Sequence, residues 1–241
     1  MSKVLVNFIQ DRSGSMADAW SETLSGFQSF VKDLQEKSNG TDVQYLFSLT
    51  TFDTVVETPI IAQPIESVNL DELAKHGPRG MTALWDATGQ TIKNTEDNPH
   101  GADKIVVVIV TDGKENSSRE WSKERLHSVI DAKLALGNWT FTYLGTQPET
   151  WDDAGVIGVG AGASATYQPH MANAAYRATA SALHSMSASR AMGSRTLLKS
   201  YVPTRAAAAA GMKINKPTFS QKPGSAPKTK PSTNKSIGRW R

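Results

Sequence analysis

Short runs of apolar residues alternate with longer amphipathic segments along most of this chain. The runs are rich in β-branched residues, as expected for strands buried on both faces of a parallel sheet. The longer segments carry apolar side chains at three- and four-residue spacing, which is typical of helices with one buried face. This pattern predicts strands at 4–9, 43–52, 54–61, 104–111, 139–144 and 163–167, and helices at 18–37, 82–95, 123–136, 148–156 and 171–200.

Alternation of strands and helices predicts an α/β domain with a doubly wound, mainly parallel sheet and helices on both faces. Segments 43–52 and 54–61 are joined by a tight turn, so we expect them to pair as a hairpin. Asn116, Ser117 and Ser118 are expected to cap the helix at 123–136. Residues 1–202 form the predicted domain.

Polar residues follow two of the predicted strands at once. Asp11, Ser13 and Ser15 come after the first strand, and Asp112 comes after the strand at 104–111. Ligands bind beyond the carboxyl ends of the strands in such sheets, and Thr82 can join the group from a neighbouring loop. Two carboxylates and three hydroxyls make an all-oxygen set, which suits Mg²⁺ (or Mn²⁺) better than Zn²⁺. With only two charges among these ligands, the ion would retain affinity for one more anionic oxygen.

The order D-x-S-x-S, then T, then D resembles the metal-ion-dependent adhesion site of von Willebrand factor A domains. Asp11, Ser13 and Ser15 match its first element, Thr82 its second and Asp112 its third. The resemblance covers roughly residues 3–200 and looks closest to stand-alone bacterial and phage members, including the tellurite-resistance type. It implies a Rossmann-like fold that includes an antiparallel edge strand.

The same resemblance implies a Mg²⁺-dependent protein-binding module with a scaffold or assembly role. The metal site would capture a carboxylate that a protein partner presents. The expected location is the cytoplasm, or the virion if the protein is encoded by a phage.

Charge is divided unevenly along the chain. All 23 acidic residues lie at or before Asp153, with 13 of the 26 basic residues, so that part has a formal charge of −10 and the remainder +13. Residues 203–241 carry nine basic side chains and few apolar ones, which predicts a disordered tail. Such a tail suits self-association with an acidic surface or contact with nucleic acid. The alternative function is therefore a virion structural or nucleic-acid-associated protein whose affinity comes from the tail.

Several other classes of protein are not expected. No run of eighteen apolar residues is present, and the chain begins directly with a predicted strand, so we expect neither a membrane span nor a signal peptide. The absence of cysteine excludes disulfides and thiol chemistry. Ser13 and Ser15 would need a base to act as nucleophiles, and only His76 lies near a site loop in sequence, so no enzyme is predicted. Asp86 could support the Thr82 loop as a hydrogen-bond acceptor, and Glu115 could touch the outer rim of the site, but both are interpreted as solvated surface charges.

Overall fold

The computed structural model describes residues 1–146, 164–188 and 211–214. Its strands are β1 (Ser2–Asp11), β2 (Val43–Phe52), β3 (Val56–Pro64), β4 (Lys104–Thr111), β5 (Trp139–Gly145), β6 (Ser164–Thr166) and β7 (Lys213–Ile214). Its α-helices are α1 (Trp20–Ser38), α2 (Leu84–Asp97), α3 (Lys123–Ala135) and α4 (Ala172–Ala188). Short 3₁₀ turns occupy Gly14–Ala19, Ile65–Ser67, Leu73–Lys75 and Pro169–Met171.

Across the described residues, the strands form one sheet in the order β3-β2-β1-β4-β5-β6-β7. The five inner strands are parallel, whereas β3 and β7 run antiparallel to their neighbours at the two edges. The chain leaves β1 toward β2 and later returns to its other side as β4. The order therefore reverses between β1 and β4, which makes their carboxyl ends the switch point where open α/β sheets bind ligands.

Each face of the sheet is covered by helices. On one face, Phe8 of β1 packs against Phe30 of α1 with ring centroids 4.9 Å apart and against Tyr176 of α4 at 5.9 Å. A Cβ at Gly26 would lie 3.1 Å from the Tyr176 ring, so this glycine permits the close approach of α1 and α4. Because side chains alternate along a strand, the neighbours of Phe8 face α2 on the other side. The described helices include none that is both long enough and apolar enough to cross a bilayer.

The doubly wound sheet and its antiparallel edge strand are confirmed, with the bounds of the strands at 43–52 and 104–111 unchanged. The helix predicted at 148–156 and the end of that at 171–200 lie outside the described residues. So does most of the segment 203–241, and the boundary at 202 stays a prediction. Lys213 and Ile214, which lie in that segment, pair with β6.

The predicted caps of the third helix were wrong. Ser122 caps α3 instead, and its side chain accepts a hydrogen bond from the Arg125 amide at 3.3 Å. Asn116, Ser117 and Ser118 belong to the loop that leaves β4, where their hydrogen-bond partners lie at the start of α2.

Candidate metal site

Asp11 ends β1 with its side chain fully buried. Its Oδ1 accepts a hydrogen bond from the Ser13 amide at 2.7 Å, which turns the chain sharply after the strand. Its Oδ2 accepts one from the Thr111 hydroxyl at 2.5 Å, across the register of β1 and β4. Both carboxylate oxygens are thus oriented by groups at the two strand ends.

The two serines connect Asp11 to Asp112. The Ser13 and Ser15 hydroxyl oxygens lie 3.0 Å apart, and Ser15 Oγ donates to Asp112 Oδ1 at 2.8 Å. Ser13 is buried, whereas Ser15 is exposed and Asp112 is partly exposed. The site therefore extends from the buried strand end to the surface.

Thr82 reaches the same point from a third segment. A Cβ placed on Gly113 would lie 3.2 Å from Thr82 Oγ1, 3.4 Å from Ser15 Oγ and 3.7 Å from Asp11 Oδ2. Oxygens of the first and second elements therefore converge on a space beside Gly113 in the third, which a side chain at that position would partly fill. All five predicted site residues are brought together by this space and the hydrogen bonds around it.

Thr82 is held in place by the loop after β4. The Thr82 amide donates to Asn116 Oδ1 at 2.8 Å, and the Thr82 carbonyl accepts from the Asn116 and Ser117 amides at 3.0 and 3.2 Å. This loop also carries Asp112. The second and third elements of the site are consequently one hydrogen-bonded unit.

Asp86 and Glu115 reinforce that unit, and their interpretation as solvated surface charges was wrong. Glu115 accepts hydrogen bonds from the Trp85, Ser117 and Ser118 amides at 2.7–2.9 Å. Asp86 accepts from three successive amides, those of residues 119–121, at 2.8–3.0 Å. Each carboxylate satisfies backbone donors that would otherwise lack partners in the loop or at the helix start.

The first element is anchored by ion pairs that the sequence pattern does not reveal. Arg12 is buried, with Nε 3.1 Å from Asp53 Oδ2 and Nη2 2.5 Å from Glu57 Oε2. Its carbonyl accepts from the Arg79 amide at 2.8 Å, and the Gly14 amide donates to the Gly80 carbonyl at 3.1 Å. These contacts fix the loop after β1 to the loop that leads to Thr82.

Burial disfavours the ionised form of both carboxylates of the site. Desolvation raises the pKa of Asp11 to about 6, against the opposing effect of the hydrogen bonds from Thr111 and Ser13; the nearby Asp112 charge raises it further. Burial also raises the pKa of Asp112, although the hydrogen bond from Ser15 opposes this. Two close carboxylates with raised pKa values form a site that a cation would stabilise.

The donor set fits a hard divalent cation. Within the described ranges, no cluster of three or more His, Cys, Asp or Glu side chains is present, so a cation would depend on this mixed set of carboxylates and hydroxyls. His76 lies with Nδ1 3.3 Å from Arg12 Nη1, while the Ser13 hydroxyl bonds to that of Ser15, and Ser15 bonds to Asp112. The geometry thus favours coordination by these hydroxyls, and the absence of an enzymatic activity stays a prediction.

Comparisons with known proteins identify the class of fold. No family model and no curated protein matches the sequence. A von Willebrand factor type A structure from Catenulispora acidiphila matches with a TM-score of 0.54 at 17% identity, covering 77% of this chain and 43% of that one. The manganese-loaded TRAP protein of Plasmodium vivax matches with a TM-score of 0.52 at 20% identity, covering 72% and 71%.

A further match is proximal thread matrix protein 1 of the mussel byssus, solved with a zinc-occupied MIDAS motif. Its TM-score is 0.50 at 18% identity, and the match covers 68% of this chain and 41% of that one. This chain thus spans less than half the length of the Catenulispora and mussel structures. At such identities the comparisons show the fold, which is that of von Willebrand factor type A domains, as the motif order implied.

Proposed function

We propose that this domain is a protein-binding module whose binding depends on a divalent cation. The cation would be held in a metal-ion-dependent adhesion site by Asp11, Ser13, Ser15, Thr82 and Asp112. The observation that carries this proposal is the convergence of Thr82, Ser15 and Asp11 oxygens around Gly113. A purely structural hydrogen-bond network does not require oxygens of two separate loops to surround a space beside a glycine of a third.

The ion and the captured group follow from the donor set. Oxygen ligands favour Mg²⁺ or Mn²⁺, and the absence of Cys and His from the set disfavours selectivity for Zn²⁺. When bound, the cation supplies an open coordination position for one more oxygen, because five side-chain ligands do not complete the six positions that Mg²⁺ takes. The partner would therefore present a carboxylate near the exposed Ser15.

Two of the matched structures support cation binding by this fold, since one is described as manganese-loaded and the other as zinc-occupied. A scaffold or assembly role, kinship with the stand-alone bacterial and phage domains of the tellurite-resistance type, and a location in the cytoplasm or virion remain part of this proposal. The matching folds do not distinguish among these settings.

Calorimetric titration with Mg²⁺ and with Mn²⁺ tests the site. Wild type should bind one ion, and Gly113→Ala should bind much more weakly, because its methyl group occupies the space between the ligand oxygens without removing any of them. Gly77→Ala is the matched control, since a Cβ there has no neighbour within 4 Å. Equal binding by wild type and Gly113→Ala would place the ion elsewhere and overturn the assignment.

Acetate serves as a minimal carboxylate probe for the captured group. In Mg²⁺-loaded wild type, acetate should shift the NMR signals of Ser15 and Gly113, whereas the neutral isostere acetamide should not. EDTA should abolish the effect. Acetate shifts that persist in EDTA, or that acetamide reproduces, would exclude capture of a carboxylate by the cation.

A further inference from the structure

A cavity of about 260 Å³ lies away from the metal site, between the sheet and the carboxyl-terminal half of α2. Its polar lining includes Asn7 of β1, Ser48 and Thr50 of β2, Thr58 of β3, and Thr91 and Thr95 of α2. All except Thr58 are at least nine-tenths buried. The cavity therefore has buried hydroxyl and amide groups at its base and opens to solvent between exposed residues such as Ile61 and Asn94.

This lining departs from what the fold requires. Inner strands of a parallel sheet that is covered on both faces consist mainly of apolar residues, and β4 follows that rule through residues 105–110. Asn7, Ser48 and Thr50 break it on adjacent strands, all facing α2. Since burying a polar group costs free energy unless it is well paired, stability alone favours apolar residues at these positions.

The polar groups are only weakly paired with each other. Asn7 Nδ2 donates to Thr95 Oγ1 at 3.2 Å, while Thr50 Oγ1 lies 3.3 Å from both Thr58 Oγ1 and Thr91 Oγ1. Hydrogen bonds between hydroxyls ordinarily span about 2.7–2.8 Å, so both contacts of Thr50 are long, whereas the bond between Asn7 and Thr95 lies at the upper end of the N–H···O range. Each hydroxyl has one donor and two acceptor positions, so these groups retain capacity for a ligand that fills the space between them.

Two strained backbone positions border the cavity. Among the described residues, Ala62 and His100 are the non-glycine residues with positive φ, at 44° and 52°. His100 lines the cavity, and Ala62 follows the lining residue Ile61. Ala62 is held by its amide, which donates to Ser48 Oγ at 2.9 Å. Such conformations cost free energy and concentrate at binding sites.

The charge of the lining restricts the ligand. Neither Lys nor Arg is among the lining residues, and the one carboxylate, Asp97, is exposed at the rim. A phosphate or carboxylate would find no compensating charge inside. Hydroxyl and amide groups, by contrast, match the alternating donors and acceptors of a neutral polyol. The volume is smaller than a typical drug-sized pocket and suits a molecule of monosaccharide size.

We propose that this cavity is a binding site for a neutral polyhydroxylated small molecule of monosaccharide size. The hydroxyls of Thr50 and Thr91 would replace their long mutual contact by hydrogen bonds to it, and the Thr95 hydroxyl oxygen would accept one in addition to that from Asn7. This site is independent of the metal site, and it stands whether or not the domain binds a cation.

NMR titration of the full chain tests this, with glycerol, D-ribose, D-glucose and myo-inositol as probes in EDTA. At least one should give saturable shifts at Thr58, Thr91 and Thr95, whereas ribose 5-phosphate should not. Thr95→Val and Thr91→Val keep the side-chain shape and remove one hydroxyl, so each should weaken binding about tenfold or more. Thr88→Val is the matched control on the same helix, because its buried hydroxyl has no partner among the described residues and lies outside the lining.

Two results of this titration would overturn the proposal. Absence of saturable shifts with all four polyols would mean that the cavity holds only water, and the proposal would be wrong. Shifts that survive unchanged in folded Thr91→Val and Thr95→Val would place the probe elsewhere and also overturn it. Thr91→Val serves as the second variant if Thr95→Val fails to fold, since the Thr95 hydroxyl also donates to the Thr91 carbonyl at 2.8 Å.

Discussion

Replacing Asp11 with asparagine should stabilise the cation-free domain at neutral pH. In the folded protein the pKa of Asp11 is raised from 3.8 to about 6, so the folded state holds its proton more tightly than the unfolded chain does. Folding therefore becomes less favourable as the pH rises through the interval between these values. The difference of about two pH units corresponds to about 3 kcal/mol, all of it felt above about pH 7 and none below about pH 3.

The surrounding hydrogen bonds can accept the substitution. The amide oxygen can take the place of Oδ1 and accept from the Ser13 amide. The amide nitrogen can donate to Thr111 Oγ1, whose proton is then free to turn to the Gly113 carbonyl at 3.2 Å. The existing donors and acceptors keep their partners, but the second N–H of the amide is a donor that Asp11 did not carry. Its desolvation therefore lowers the gain below the full value for removing the buried charge.

Urea denaturation in EDTA at several pH values between 4 and 8 measures the effect. Asp11→Asn should exceed wild type by up to about 3 kcal/mol at pH 8, and this difference should shrink to about 0.5 kcal/mol at pH 4. Asp42→Asn is the control, because this carboxylate is exposed and its replacement should change stability by no more than about 0.5 kcal/mol. A variant that is less stable than wild type across the whole range would show that the Asp11 charge is a structural requirement.

Two further predictions concern the loop after β4 and the basic segment. Glu115→Gln should lower Mg²⁺ affinity about tenfold or more, because one amide oxygen cannot accept all the hydrogen bonds that hold the loop around Thr82. Calorimetry measures this, with Glu124→Gln in α3 as an exposed control, and an unchanged affinity would contradict the prediction. Removal of residues 215–241, which takes away seven basic side chains and keeps β7, should abolish concentration-dependent self-association at low salt in light scattering. Loss of oligonucleotide binding instead would favour the nucleic-acid alternative, and no change in either would make this prediction wrong.

The parts of the fold that the sequence predicts are those governed by burial alone. The strand β4 begins and ends where its apolar, β-branched run does, because a strand covered on both faces excludes polar residues until it emerges. The bounds of β2 were also predicted, although Ser48 and Thr50 interrupt its apolar run. The convergence of Asp11 and Asp112 follows from the same rule, since neighbouring parallel strands end at one edge of the sheet. Thr82 needed the family resemblance, because no periodicity indicates which loop folds over the strand ends.

Other parts depend on pairings that leave no trace in a single sequence. In the sequence, Asp86 and Glu115 look like ordinary surface charges. The fold shows that Asp86 accepts hydrogen bonds from the loop after β4, and that Glu115 accepts one from the first turn of α2. Arg12 occupies the variable position of the D-x-S-x-S motif, so nothing in the motif predicts its buried ion pair with Asp53. In the sequence, Asn7 and Thr50 look like minor interruptions of apolar strands. Only the position of α2 shows that both line a cavity between the sheet and that helix.

Helix α2 connects the two proposed sites. Its first turn follows Thr82 and is fixed by Asp86 and Glu115, whereas Thr91 and Thr95 near its other end line the polar cavity. At 1.5 Å per residue, Thr82 and Thr95 are separated by about 20 Å along the helix direction. Coupling between two binding equilibria is reciprocal. If a bound polyol changes the affinity for the cation by some factor, the bound cation must change the affinity for the polyol by the same factor. Because α2 is continuous and firmly held at its amino terminus, such coupling requires the helix to move as one body. If the two affinities are independent, the hydrogen bonds at the amino-terminal end of α2 hold it fixed, and binding in the cavity does not reach the metal site.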